Sequence, residues 1–213
     1  KLYSADVLML SGDLTGKLLV PLVKEKGGYY TDYFGNGKIV SEEEAARLER
    51  TLEDAGVYVM RATWDEVKEL QKKPEKVEEI LSDAMAKRMD EWLRMLLQEV
   101  DTRKTKVLVM PGNDDYSVVD EVIKRYEDHG IIYPLDKVVE IGSYEVISYE
   151  YVHPKHWNTA REAPATRIKQ ELEKKIRRSS DARRAMIGAH APPCGTALEQ
   201  VREQGRCRMA VIT

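Results

Sequence analysis

Asp13, Asn113 and His190 each stand just past a short apolar run of strand length, and that placement gives them their chemistry. Residues 7–10 lead into Ser11-Gly12-Asp13. Residues 106–110 lead into Pro111-Gly112-Asn113-Asp114-Asp115, and Ala185-Met186-Ile187 leads into Gly188-Ala189-His190. A carboxylate, an amide oxygen and an imidazole presented at the ends of buried strands form a mixed donor set for a divalent cation, and such sites work on phosphate esters. Each loop also has a plainer explanation. Gly-Asp after a strand is ordinary turn chemistry, Asp114 and Asp115 can cap a helix starting near Ser117, and a lone histidine at a strand end can be a hydrogen-bonded core group. Gly188 and the rigid Pro192-Pro193 pair argue instead for a backbone fixed to aim His190. Gly12 to Lys17 also invites comparison with a phosphate-binding loop, but its spacer is one residue short and Leu18 occupies the place of the magnesium-binding hydroxyl.

The elements that must position these groups follow from periodicity and turn chemistry. Residues 7–10 and 106–110 read as buried strands. Residues 27–40 read as a hairpin, with Tyr29 to Phe34 rich in strand formers, Gly35-Asn36-Gly37 as the turn and Lys38-Ile39-Val40 returning. Ser41 and Glu44 form a capping box that opens a helix closing at Gly56. After residues 57–60, a long amphipathic helix spans about 74–100, with Val77, Ile80, Leu81, Met85, Met89, Trp92, Leu96 and Val100 as its apolar stripe. A helix at about 117–129, a second hairpin (137–141 and 144–149), a proline-punctuated loop (152–164) and a charged helix at about 165–178 come next. The strand 185–189 then delivers His190, and a short helix is expected near 197–204. The basic residues Lys174, Lys175, Arg177, Arg178, Arg183 and Arg184 read as a solvated face, because Glu171 and Glu173 are interleaved. Strands and helices are mixed, so the fold class is α/β (α+β), with residues 1–213 as a single domain carrying a hairpin and long-helix insertion at about 27–100.

At 213 residues the chain is long enough to bury a real core. A formal net charge of -3 gives no general attraction to nucleic acid or anionic membrane, so neither is expected as a partner. Two cysteines, Cys194 and Cys207, are too few for a disulfide framework, which points to a reduced, cytoplasmic setting. No apolar run approaches the roughly 18 residues of a membrane span. Cys194 has no CxxC partner and reads as structural.

Taken in order, the three loops resemble the calcineurin-like metallophosphoesterases. That family runs Asp-x-His, Gly-Asp, Gly-Asn-His-Asp/Glu, a histidine after a strand, and Gly-His-x-His. Gly12-Asp13 is similar to the second motif, Gly112-Asn113-Asp114-Asp115 to the third and His190 to the fourth. Gly-Asp-Leu-Thr-Gly-Lys, the long helical insertion, Trp157-Asn158-Thr159 before a charged helix, and His-Ala-Pro-Pro-x-Gly-Thr extend the likeness to a prokaryotic subgroup over nearly the whole chain. The resemblance implies a sandwich of mixed β-sheets flanked by helices, and a two-metal hydrolase of phosphomonoesters or phosphodiesters that uses manganese, iron or zinc. Asp13 would bridge two cations, and Asn113 and His190 would bind the second. A shared carboxylate offsets the repulsion between two cations, and the pair lowers the pKa of a water for in-line attack.

The first and fifth motifs are absent, and the expectation is that the fold is incomplete at both ends, so that the polypeptide as it stands binds metal poorly. Asp114 replaces the family's phosphate-contacting histidine. Beside dications its carboxyl would titrate below the usual value near 4, making it a weak acid catalyst or an added ligand, while Asp115 orients the loop by accepting backbone N–H bonds. His153, His156, Trp157 and Asn158 are placed at the rim of a site for a phosphate-ester small molecule or nucleotide. The insertion is expected to shape specificity or pairing into a homo-oligomer. The competing expectation is a catalytically impaired scaffold or protein-interaction module on the same fold.

Overall fold

In a computed structural model, residues 5–33, 35, 37–154 and 158–192 are described. The chain is of mixed α/β class, and its described residues form three sheets and five α-helices. It divides into two compact units. One comprises the described residues of Lys1–Leu14 and Met89–Thr213, the other Thr15–Arg88. The division falls ahead of residue 27, so the strand Leu18–Glu25 joins the segment expected as an insertion. The end of the long helix belongs instead with the first unit.

The first unit contains two three-stranded sheets. Strands β1 (Val7–Ser11), β6 (Lys106–Met110) and β7 (Ile131–Ile132) run parallel in the order β1-β6-β7. Strand β9 (Tyr144–Tyr149) lies between β8 (Val139–Ile141), antiparallel to it, and β10 (Ala185–Ala189), parallel to it. Leu108 of one sheet packs with Val139 and Val146 of the other, and Val7, Met9, Ile132 and Ile141 close around them. The two sheets therefore share one core. Gly188 belongs to that contact, because a Cβ there would lie 2.0 Å from the Met9 methyl carbon. Helix α4 (Ser117–Arg125) follows the Asn113 loop and buries Val119, Val122 and Ile123, at three- and four-residue steps. A turn of 3-10 helix, Glu127–His129, occupies the last part of the helix expected to reach residue 129.

The second unit is a four-stranded sheet of β2 (Leu18–Glu25), β3 (Gly28–Thr31), β4 (Lys38–Val40) and β5 (Val57–Ala62), order β4-β3-β2-β5, with helix α1 (Glu42–Asp54) against it. Ala45, Leu48 and Leu52, on one helical face, pack on Val20, Leu22, Val40, Val57 and Val59 of the sheet. The Ser41–Glu44 capping box is present, with both reciprocal bonds. Two elements here had no counterpart in the sequence reading. Strand β2 (Leu18–Glu25) contains Pro21, which argues against a central strand. It is accommodated because β3 pairs only with Val23–Glu25, leaving that side of β2 without a ladder at residue 21. Helix α2 (Trp64–Lys72) opens on a second capping box, Thr63 with Glu66.

The long helix α3 is Pro74–Glu99, 26 residues. Leu81, Met85, Met89 and Val100 of the expected stripe are buried, as is Leu93, while Val77, Ile80, Trp92 and Leu96 are half-buried. Helix α5 is Ala165–Ile176. One residue of its basic stretch departs from a solvated face. Lys175 is half-buried, its ammonium donating to the carbonyls of Leu135 (2.6 Å) and Ser148 (3.0 Å). Burial pushes its pKa down, against the pull of Glu150. No helix among the described residues is long and apolar enough to cross a membrane. The expected helix at 197–204, Cys194 and Cys207 lie outside the described residues.

Candidate metal centre

The register of β1 on β6 explains why two of the loops meet. Ser11 pairs with Met110 at the carboxyl ends of parallel strands, so residues 12–13 and 111–113 emerge side by side. In open α/β sheets ligands bind at such ends. Strand β10 ends on Ala189, paired with Tyr149, and the His190 main-chain N–H donates to the Tyr149 carbonyl at 3.0 Å.

Close approach of the loops depends on two glycines. Gly12 has φ +102°, and a Cβ there would lie 2.4 Å from Gly112 Cα and 2.6 Å from His190 Nδ1. A Cβ on Gly112 would lie 2.4 Å from the Asp13 nitrogen. Asp13 itself has φ +51°, in the left-handed region where Asp and Asn are the most tolerated side chains. Two successive left-handed residues thus turn the Asp13 carboxylate back over the strand ends.

Asp13, Asn113 and His190 are brought together. The His190 Nε2 atom lies 2.9 Å from Asn113 Oδ1 and 3.3 Å from Asp13 Oδ2. Two neighbouring bonds fix which atoms these are. His190 Nδ1 lies 2.7 Å from the Ser11 carbonyl oxygen, which can only accept, so Nδ1 carries a proton. The Asn113 amide nitrogen donates to Asp114 Oδ1 at 2.9 Å, turning the amide oxygen toward the imidazole. In the neutral imidazole three acceptors therefore face one another, an arrangement that calls for a cation between them: a second proton on His190 or a metal ion. Burial disfavours the imidazolium, but the hydrogen bond and charge of Asp13, together with the Ser11 carbonyl and Asp115, outweigh it and hold the His190 pKa above its ordinary value. An imidazole fixed by its other nitrogen on a backbone carbonyl is the usual state of a metal-bound histidine. Ligand atoms about 2.1 Å from a cation stand about 3 Å apart at a right angle, close to the spacing of His190 Nε2 from each of the two oxygens. The residues fit a divalent ion, although the set is partial. Among the described residues no group of three or more His, Cys, Asp and Glu side chains is placed to hold a metal.

The two remaining carboxylates of the Asn113 loop take different positions. Asp115 is fully buried, and its Oδ2 accepts from the backbone N–H groups of Gly112 (2.7 Å) and Leu14 (3.2 Å), tying the Asp13 loop to the Asn113 loop. Asp114 is half-buried. Its N–H donates to Asp13 Oδ1 at 3.0 Å while its carboxylate holds the Asn113 amide. Of the expected rim, Asn158 is exposed with φ +47° and His153 is exposed. His156 and Trp157 lie outside the described residues.

Sequence reasoning passed over Arg161. It is buried, and its guanidinium donates to the carbonyls of Gly112 (3.2 Å), Asp115 and Tyr116 (3.5 Å) and to the Asp120 carboxylate. Asp120 in turn accepts from the Tyr133 hydroxyl at 2.6 Å; burial and the Asp120 charge push that phenol's pKa up. The available signal was the Thr159–Glu162 spacing, a capping-type pair in which the Thr159 N–H (3.0 Å) and hydroxyl (2.9 Å) both donate to Glu162.

Comparison with protein-family models, with curated proteins and with solved structures gives no match for this chain.

Proposed function

We propose that this chain carries the metal-binding core of a phosphoesterase of the calcineurin-like type, hydrolysing phosphomonoesters or phosphodiesters of a small molecule or nucleotide. One observation carries the reading: His190 Nε2 lies 2.9 Å from Asn113 Oδ1 and 3.3 Å from Asp13 Oδ2, with the far side of the imidazole committed to a carbonyl. These three residues would hold manganese, iron or zinc, with Asp13 as the anionic member of the set. When bound, such ions polarise phosphate oxygens and lower the pKa of a water enough for attack near neutral pH. Asp13 supplies charge, His190 a lone pair in a fixed tautomer, and Asn113 a neutral oxygen aimed by Asp114. Asp115 keeps the two loops in register. Asp114 stands beside the ligands with its carboxylate accepting from the Asn113 amide, so substrates whose leaving groups need little protonation are favoured.

The test is a manganese titration followed calorimetrically, with hydrolysis of bis-p-nitrophenyl phosphate and p-nitrophenyl phosphate, for wild type and Asp13→Asn. Asparagine keeps the left-handed backbone and removes only the charge, so binding should weaken more than tenfold and any turnover should fall with it. Equal behaviour of the two proteins, or no binding with any of the three metals, ends this reading. The partial donor set favours a second one, a catalytically impaired scaffold on the same fold. It predicts that second outcome.

A further inference from the structure

We propose that Arg161 is the positioning residue of this centre, fixing the direction in which the Asn113 amide points. This rests on the metal reading of Asp13, Asn113 and His190, and the argument is one of peptide planes. The Gly112 carbonyl belongs to the same peptide unit as the Asn113 N–H, and it accepts from Arg161 Nη1 at 3.2 Å. The Asn113 carbonyl belongs to the same unit as the Asp114 N–H, and it accepts from the Arg161 main-chain N–H at 3.3 Å. One residue therefore holds both peptide planes that flank Asn113. The second plane is held from its other side as well, since the Asp114 N–H donates to Asp13 Oδ1 at 3.0 Å. Backbone rotation at Asn113, which would swing the amide away from His190, has to break one of these bonds.

Arg161 is itself fixed. Val152 N–H donates to the Arg161 carbonyl (3.1 Å) and Ala163 N–H to the Val152 carbonyl (2.9 Å), so the backbone from Arg161 to Ala163 is tied to Val152. The guanidinium side chain is 8% exposed and pairs with Asp120, 14% exposed. Neutralising Asp120 would occupy one edge of the fork. The other donors go to the carbonyls of Gly112, Asp115 and Tyr116, which bracket the Asn113 loop. A planar fork reaches these together, and a lysine ammonium cannot. Partners that orient metal ligands typically change metal affinity by about 10- to 100-fold when removed.

Arg161→Lys keeps a charge opposite Asp120 and removes the fork. Two readouts are taken: manganese affinity by titration, and amide hydrogen exchange in the metal-free protein at Asp114, with residues 107–110 of β6 as the internal standard. We expect manganese affinity to fall tenfold or more and exchange at Asp114 to accelerate by a similar factor, with β6 unchanged. Affinity within twofold of wild type together with unchanged exchange at Asp114 overturns the proposal. So does acceleration equal to that in β6, which would mark a general loss of stability. If Arg161→Lys does not fold, Asp120→Asn, which loosens the guanidinium's anchor, should move both readouts in the same direction by a smaller factor, and no movement overturns the proposal. A wild-type protein that binds no manganese refutes the metal reading on its own, and the exchange measurement still decides whether Arg161 holds the loop.

Discussion

At the scale of single residues, the groups that meet were legible because each ends an apolar run. A polar side chain directly after a buried strand has few places to point except across the strand ends, and Gly12 and Gly112 remove the bulk that would keep those loops apart. Arg161 was not legible. Its carbonyl partners lie 45, 46 and 49 residues away, and the Thr159–Glu162 spacing around it marks a local turn without indicating what the guanidinium reaches. Glu150 is a further residue whose state only the packing reveals. One carboxylate oxygen is buried without a hydrogen-bond partner among the described residues. Burial raises its pKa above the ordinary 4.5, with the Asp120 charge adding to the rise and Lys175 and Arg161 opposing it. A carboxyl whose folded value exceeds its unfolded one lends stability below the unfolded value and loses it as pH climbs through the folded one. Glu150→Gln should therefore raise the melting temperature at about pH 7, with the gain shrinking toward about pH 4.5. A gain of the same size at every pH would show that the carboxylate's charge has no part in it.

At the scale of elements, long periodic segments and complete caps were readable, while short or contradicted ones were not. Helix α1 announced itself through Ser41 and Glu44, and helix α3 through its stripe. Strand β7 has two residues and exists because β6 offers a free edge to Ile131 and Ile132, which no local pattern encodes. Helix α2 is nine residues with no buried side chain, so periodicity gave little sign of it, and its capping box was the one clear cue. With so little packing, that cap should carry much of the helix. Thr63 accepts from the Glu66 N–H at 3.3 Å, and Glu66 returns a bond to the Thr63 N–H at 2.7 Å. Thr63→Ala is expected to cost about 1 kcal/mol, read as a shift in denaturation midpoint at unchanged slope. A loss below about 0.3 kcal/mol would mean the helix is held by something other than its first turn.

At the scale of the whole molecule, sequence reasoning anticipated a mixed α/β chain with polar groups at its strand ends, while the division into two units follows a boundary it did not draw. The boundary at Leu14 and Thr15 falls inside the Gly12–Lys17 motif, so a stretch that reads as one signature serves two units. Asp13 belongs to the first, whereas Gly16 backs onto the Gly56 carbonyl within the second. Every residue of the candidate centre lies in the first unit, and His190 has a double part there. Its main chain is bonded to β9 of one sheet, and its ring reaches the carbonyl of Ser11 on the other. That imidazole is a rivet between the two sheets, so a cation settling on it would also tie them together. By mass action, manganese at about 100 times its dissociation constant would add about 2.7 kcal/mol. A thermal melt should rise with added metal and fall back with chelator, and a flat response would show that the rivet holds without one. Loading and folding strength then become a single measurable quantity, and a simple heating curve can rank candidate metals before any substrate is known.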